Sequence, residues 1–202
     1  MPTNQQAYHM KRTGVFGSAF NPPTRGHLDV LRQAAPRFDK ILLLPSVAHA
    51  FNKETIPLQK RLELLEAFCR DVEELPCKLE ISTLEEEILA SQPDSPVYTW
   101  SVLNTLSNQE PATEFTFIRG PDNAAQETWQ RFYRYQDIER RWSIFTADES
   151  VSARSSYVRE LLCQPEPELN LLQKWLTPSV MAMILEQRLY QANASIKRKH
   201  ER

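Results

Sequence analysis

A short turn rich in glycine and proline, set between two apolar patterns, constrains this chain more than any other feature. The turn runs from Gly17 to His27 and has the sequence GSAFNPPTRGH. Residues 13–16 before it have the pattern of a buried strand, and residues 27–35 after it have helical spacing. A strand, a turn and a helix in this order expose backbone N–H groups at the positive end of the helix dipole. The sequence therefore predicts a phosphate-binding turn, with His27 as a side-chain donor.

The glycines of this turn support that interpretation. The chain has 4 glycines, and two of them are Gly17 and Gly26. Because glycine lacks a Cβ, we expect both positions to let the backbone lie close to a ligand. The alternative is an ordinary strand-to-helix turn in which Thr24 caps the helix. The turn matches neither the dinucleotide-binding pattern GxGxxG nor the P-loop pattern ending in GK[ST].

Apolar segments alternate with helical patterns along the chain. We predict strands at residues 13–16, 41–44, 78–82, 115–118 and 142–146, and helices at 27–35, 58–70, 97–106, 124–129, 155–162 and 178–189. This repeated order implies parallel strands joined by right-handed crossovers. The predicted fold class is α/β, an open parallel sheet with helices on both faces.

Two segments that follow predicted strands carry further phosphate-binding side chains, since ligands of such sheets bind at the carboxyl ends of the strands. Ser155, Ser156 and Arg159 follow the fifth strand, where hydroxyls and a guanidinium can hold phosphate oxygens. A serine-capped helix with a solvated arginine is the alternative there. His49 and Lys53 follow the second strand, and a packed or solvent-facing loop residue is the alternative for His49.

The segment after the fourth strand, RGPDN, adds Gly120 and Asp122. An aspartate at this position can hold a ribose hydroxyl or a metal-bound water. Trp129, Phe132 and Tyr133 follow, and aromatic rings can stack on a flat base or ring. For Phe132 and Tyr133 we prefer a place in the core.

Bulk properties exclude several functions. The formal net charge is -2, which argues against nucleic-acid partners and against anionic membranes. The 3 cysteines form no CxxC pair, which fits a reducing cytoplasm, and no apolar run is long enough to span a membrane. We expect residues 1–11 to be a flexible extension, residues 12–190 one domain, and residues 191–202 a frayed basic tail.

Taken together, these segments resemble the nicotinamide/nicotinate mononucleotide adenylyltransferases, a branch of the nucleotidylyltransferase superfamily with a T/H-x-G-H motif. The resemblance covers about residues 12–190 and is carried by GSAFNPPTRGH, RGPDN, SSYVR and a closing segment at 177–190. It implies a Rossmann-like fold and transfer of AMP from ATP to the 5′-phosphate of the mononucleotide, with Mg²⁺. The implied partners are ATP and the pyridine mononucleotide, and self-association into a homo-oligomer is left open.

The resemblance also implies roles for individual residues. Those implied to bind ATP are Gly17, Ser18, Ala19, Phe20, Thr24, His27, Gly120, Asp122, Ser155, Ser156 and Arg159. Those implied to be catalytic are His27, Lys53 and Arg159. Thr99, Trp129 and Lys53 are implied to bind the pyridine nucleotide, and no protein-built metal site is predicted.

The chain departs from the family pattern at three positions. Ala19 replaces a hydroxyl residue that usually precedes the phenylalanine, Thr24 replaces the first histidine of HxGH, and Arg154 stands where a small hydroxyl residue is common. Two alternatives stay open. One, motivated by Ala19 and Arg154, is a nucleotide-binding regulator with a reduced-activity pocket. The other is an adenylyltransferase with another phosphate acceptor, such as phosphopantetheine.

Overall fold

A parallel sheet forms the centre of the molecule. The structure, a computed structural model, describes residues 10–47 and 55–191. Within these residues the strands are β1 (Lys11–Ser18), β2 (Lys40–Pro45), β3 (Lys78–Ile81), β4 (Thr113–Arg119) and β5 (Ser143–Thr146). Every neighbouring pair is parallel, and the strand order is β3-β2-β1-β4-β5. The order reverses at β1, which pairs with β2 on one side and β4 on the other.

Helices connect the strands and cover both faces of the sheet. They are α1 (Arg25–Ala34), α2 (Leu58–Asp71), α3 (Leu84–Ser91), α4 (Thr99–Gln109), α5 (Gln126–Trp129), α6 (Tyr135–Arg141), α7 (Ser155–Leu162), α8 (Leu169–Trp175) and α9 (Pro178–Glu186). Two short 3-10 turns lie at Ala35–Arg37 and Pro121–Asn123. No helix in the described residues is long and apolar enough to cross a membrane.

The strands bury side chains on both faces, as parallel strands between two helical layers do. Phe16, Ile41 and Leu43 belong to one buried cluster with α1, α2, α7, α8 and α9. Val15 and Leu42, which alternate with them, belong to a second cluster with α3, α4, α5 and α6. The apolar runs in the sequence are therefore continuous because each strand supplies two cores.

The predicted fold class is confirmed, and each predicted strand is present. The fifth strand begins at Ser143, one residue later than predicted, because the buried Trp142 before it is the C-cap of α6. The helix predicted at 178–189 ends at Glu186, and Arg188 just beyond it has a φ of 53°. The helices α3, α6 and α8 were not predicted, since each spans two turns or so and presents a weak apolar pattern.

The N-terminus of helix α9 is capped by a side chain at the end of α2. The Asp71 carboxylate accepts hydrogen bonds from the Ser179 N–H at 2.8 Å and from the Ser179 hydroxyl at 2.6 Å. A carboxylate at the N-terminus of a helix stabilises the unpaired N–H groups there. At the other end of α9, the residues that follow it reach the turn after β1, where Tyr190 contacts Asn21.

Candidate functional site

A cavity of about 470 Å³ opens at the carboxyl edge of the sheet, where the strand order reverses. Its walls come from the turn after β1, the 3-10 turn after β4, the loop after β5 and the first turns of α1 and α7. The predicted site residues that line it are Gly17, Ser18, Ala19, Thr24, His27, Gly120, Asp122, Ser155, Ser156 and Arg159. The structure thus brings three separate sequence motifs to one pocket.

The orientation of His27 is set by its own helix cap. The Thr24 N–H donates to His27 Nδ1 at 3.0 Å, and the Thr24 hydroxyl donates to the Ala153 carbonyl at 2.6 Å. Because Nδ1 accepts a hydrogen bond, the ring proton lies on Nε2. Nε2 is 3.1 Å from the Ser18 hydroxyl, at the cavity wall. His27 therefore directs its Nε2–H toward the Ser18 hydroxyl, at the wall of the cavity.

Burial keeps His27 uncharged. The ring packs against Phe20 with centroids 4.9 Å apart and against Phe16 at 6.1 Å. Desolvation there lowers the pKa of His27 to about 4. The ring of Phe20 is fully buried against His27 and does not line the cavity, so its predicted place in the ATP site stays a prediction.

Two side chains of α7, in the motif SSYVR, donate hydrogen bonds to the turn after β1. Arg159 donates from Nη1 to the Asn21 carbonyl at 2.7 Å, and the Ser155 hydroxyl donates to the Pro22 carbonyl at 2.7 Å. Ser155 has one hydroxyl proton, which holds the turn in this structure, and its role toward phosphate stays a prediction. Arg159 has further N–H groups and lines the cavity, as does Ser156.

An ion pair crosses the mouth of the cavity. Arg154 Nη1 lies 2.7 Å from Asp122 Oδ1, and Arg154 Nη2 lies 3.1 Å from Glu149 Oε1. The neighbouring Asp122 and Glu149 carboxylates raise the pKa of Arg154. Arg154, which departs from the family pattern, thus pairs with Asp122, the aspartate that the resemblance implies to bind ATP.

The two glycines of the turn have different surroundings. A Cβ on Gly26 would lie 2.6 Å from the Ala153 carbonyl oxygen, so this glycine allows close contact between α1 and the loop before α7. A Cβ on Gly17 would meet the Leu44 carbonyl oxygen at 4.0 Å, an ordinary contact. Nothing in the fold itself therefore requires a glycine at position 17.

Two residues of α1 that sequence reasoning missed hold the loop after β5. The Asp29 carboxylate accepts hydrogen bonds from the N–H groups of Ser150 and Val151, at 2.9 and 3.1 Å. Gln33 exchanges two hydrogen bonds with the backbone of Asp148, at 2.9 and 3.0 Å. Asp29 and Gln33 are four positions apart, as polar residues on a solvent-exposed helix face commonly are. The sequence therefore carries no signal that distinguishes them from such residues.

The two described residues that were predicted to bind a pyridine, Thr99 and Trp129, do not line this cavity. Trp129 is fully buried and donates from Nε1 to Glu139 at 2.8 Å, so its ring faces no open space. Thr99 begins α4 and does not line the cavity. Lys53, like His49, lies outside the described residues.

The neighbouring aromatic residues occupy different environments. Phe132 packs against the second core cluster as predicted. Tyr133 is 49% exposed and stacks on Tyr98 at 4.4 Å, contrary to the prediction of a core position. An exposed pair of stacked tyrosines needs no core to form, because the rings cover one another.

Positive potential reaches the cavity from two helices. The first turns of α1 and α7 both line it, and their unpaired N–H groups favour anions. Among the described residues no group of three or more histidines, cysteines or carboxylates could hold a metal ion. The arrangement suits a phosphate ligand.

A parallel sheet whose order reverses beside an anion-accepting turn defines a Rossmann-like nucleotide-binding protein. The particular family follows from the sequence: a family model described as Cytidylyltransferase-like matches residues 15–161, and the chain belongs to this family.

Proteins similar to this chain have consistent names. A probable nicotinate-nucleotide adenylyltransferase of Streptococcus pneumoniae is 28% identical over 191 residues, which covers 81% of this chain and 87% of the relative. A putative nicotinate-nucleotide adenylyltransferase from Vibrio parahaemolyticus has a solved structure with a TM-score of 0.74 and 30% identity, covering 90% of this chain and 96% of that one. A Plasmodium falciparum nicotinic acid mononucleotide adenylyltransferase complexed with NaAD has a TM-score of 0.68 at 18% identity, which supports the fold alone.

Proposed function

We propose that this chain is a nicotinate-nucleotide adenylyltransferase, which transfers AMP from ATP to the 5′-phosphate of nicotinate mononucleotide and releases pyrophosphate. One observation carries the proposal: His27, Arg159 and the N-termini of α1 and α7 face one cavity at the switch point of the sheet. The names of the relatives support the choice of acceptor. Nicotinamide mononucleotide, the amide form, is the closest competing acceptor.

The reaction needs no general base. The attacking oxygen belongs to a phosphate that is already ionised at neutral pH. A bond forms from this oxygen to the α-phosphorus of ATP, and the bond from that phosphorus to the bridging oxygen of the β-phosphate breaks. Both electrons of the broken bond leave with pyrophosphate, so negative charge grows on the α-phosphate oxygens and on the leaving group.

The described residues stabilise that charge by position. His27 carries its proton on Nε2 as a neutral group, so it supplies a directed hydrogen bond. Arg159 supplies a permanent positive charge beside the turn. The two helix N-termini add fixed dipoles that need no rearrangement during the reaction. Lys53 is part of this proposal through the family motif alone.

Magnesium enters this proposal with ATP. The carboxylates that line the cavity are Asp29, Asp122 and Glu149. Asp29 is engaged by backbone N–H groups, while the other two pair with Arg154. Mg²⁺ is commonly held by substrate phosphates and water with few protein ligands. When bound, it would neutralise part of the triphosphate charge.

The test is a comparison of acceptors with the purified protein. ATP is supplied with nicotinate mononucleotide, nicotinamide mononucleotide or 4′-phosphopantetheine, and pyrophosphate and the adenylylated product are both measured. We expect turnover with a pyridine mononucleotide and the highest kcat/KM with the nicotinate form. Turnover with phosphopantetheine alone would assign another acceptor, and ATP binding without turnover on any of the three would assign a regulator.

A further inference from the structure

The turn after β1 has a backbone conformation that its own sequence does not favour. Phe20 has a φ of 44°, in the left-handed region that residues with a Cβ rarely adopt. Such a residue persists where the surrounding structure holds it in place. The turn is therefore expected to depend on contacts from other elements.

Two arginines provide contacts of this kind. Arg61, on α2, is 2% exposed and donates from Nη1 to the Ala19 carbonyl at 2.9 Å. Arg159, on α7, donates to the Asn21 carbonyl at 2.7 Å. The carbonyls on both sides of Phe20 are thus held by buried or half-buried guanidinium groups, and α2 joins α7 in fixing the turn.

A third contact comes from the residues that follow α9. The Tyr190 hydroxyl donates to Asn21 Oδ1 at 2.9 Å, across 169 positions of sequence. Asn21 is 2% exposed overall, yet it contributes to the cavity wall. Burial raises the pKa of Tyr190 well above its ordinary value, so the hydroxyl keeps its proton and remains a donor.

The segment that carries Tyr190 is itself anchored. The Leu189 N–H donates to the Ile184 carbonyl at 3.0 Å, and the Cys163 thiol contacts the Tyr190 carbonyl at 3.3 Å. Arg188 and Tyr190 both have positive φ values, 53° and 65°. The conformation of Arg188 and the bond from Leu189 to Ile184 close the end of α9 as a Schellman cap. Beyond this cap, the hydroxyl of Tyr190 reaches Asn21 at the cavity wall.

We propose that Tyr190 is a positioning residue for the nucleotide site. Its hydroxyl fixes Asn21, and through Asn21 it holds the turn in the form that brings His27 and Arg159 to the same cavity. This inference rests on the proposed function, since it assigns the site to ATP. Tyr190 does not line the cavity and acts through the turn.

The first test is ATP binding by the full chain with Tyr190→Phe, which removes the hydroxyl and keeps the ring. We expect the Kd for Mg-ATP to rise about fivefold, the effect of losing one hydrogen bond of ordinary strength. The matched control is Tyr157→Phe, which removes the hydroxyl of an exposed tyrosine on α7 and should leave the Kd unchanged. Combining Tyr190→Phe with Asn21→Ala should cause no loss beyond that of Asn21→Ala alone. A Kd within twofold of the parent, or full additivity, would overturn the proposal.

A second measurement does not depend on nucleotide. The Thr24 N–H donates to His27 Nδ1, so its hydrogen exchange reports on the turn. We expect faster exchange of this amide in Tyr190→Phe, with unchanged exchange of the Val102 amide in α4. If Tyr190→Phe does not fold, Asn21→Ala removes the same hydrogen bond from the other side. Unchanged exchange at Thr24 overturns the positioning role, whereas absence of ATP binding by the parent overturns the proposed function.

Discussion

At the scale of single residues, the direction of a hydrogen bond matters more than formal charge. His27 has its Nδ1 occupied by the backbone of Thr24, while its Nε2–H is directed toward the Ser18 hydroxyl at the cavity wall. The two ring nitrogens thus have separate roles, one in the helix cap and one at the site. An asparagine amide can replace Nδ1 and a glutamine amide can replace Nε2, so the two roles can be tested separately.

We expect His27→Asn to lower kcat by about a hundredfold or more, because it loses the donor aimed at the growing charge. An asparagine can still accept from the Thr24 N–H, so the free energy of unfolding at neutral pH should change by less than about 1 kcal/mol. His27→Gln places an amide N–H near the position of Nε2 and should retain more activity. Steady-state kinetics and urea unfolding of both variants test this, and a kcat for His27→Asn close to the parent would contradict the assigned role.

Arg154 offers a second prediction at this scale. Its side chain is 40% exposed, so its ion pairs contribute little to stability. It nevertheless supplies positive charge beside the carboxylates of Asp122 and Glu149. We expect Arg154→Ala to raise the KM for ATP about two- to fivefold at low salt, and this difference should shrink as salt is added.

The control for Arg154 is Arg32→Ala, which removes another exposed arginine with a carboxylate partner, Glu74. Arg32 does not line the cavity, so the KM for ATP should stay at the parent value in this variant. A lower KM in Arg154→Ala would show instead that the pair with Asp122 competes with the nucleotide.

At the scale of elements, the site depends on how closely α1 approaches the loop before α7. Thr24, Asp29 and Gln33 all hold the backbone of residues 148–153. Gly26 lies in the same contact, with no space for a Cβ. The two helix N-termini are therefore held beside one another by this interface.

We expect Gly26→Ala to lower the free energy of unfolding by about 1–3 kcal/mol, since the added methyl overlaps the Ala153 backbone. The KM for ATP should rise as well, because α7 moves relative to α1. The control for stability is Gly120→Ala, where a Cβ meets no atom within 4 Å. The measurement is the free energy of unfolding of the two variants in urea. Equal values would show that the contact between Gly26 and the Ala153 backbone adapts without strain.

At the scale of the whole molecule, His27 and Glu85 make the free energy of unfolding depend on pH in opposite directions. The pKa of His27 is lowered from 6.5 to about 4, so the unfolded chain binds a proton first and stability falls as pH drops through that range. The pKa of Glu85 is raised from 4.5 to about 7, because burial outweighs the Val47 N–H and the charge of Arg61. The folded chain then binds its proton first, and stability rises as pH falls from 7 to 4.5.

We therefore expect the two substitutions to act in opposite directions between pH 7 and pH 4.5. His27→Gln should reduce the acid-induced loss of stability, and Glu85→Gln should increase it, each by up to about 3 kcal/mol. The measurement is the free energy of unfolding in urea across this pH range for the parent and both variants. Parallel curves for all three would contradict the assigned pKa shifts.

The sequence alone determined the strands, the fold class and the main motifs of the site. Continuous apolar runs ended by proline or glycine are local signals of buried parallel strands, and the turn before His27 carries its own chemistry. Helices α3, α6 and α8 lay beyond this reasoning, because short helices are stabilised by packing more than by their own pattern.

The tertiary structure alone decided which groups of the site are free to meet a ligand. The hydroxyl of Ser155, the ring of Trp129 and the carboxylate of Asp122 have partners that no local pattern specifies. The hydrogen bond from Tyr190 to Asn21 is the extreme case, since it joins residues at opposite ends of the described chain. Such partners depend on how elements dock, and docking is set by the shape of the cores rather than by residue type alone.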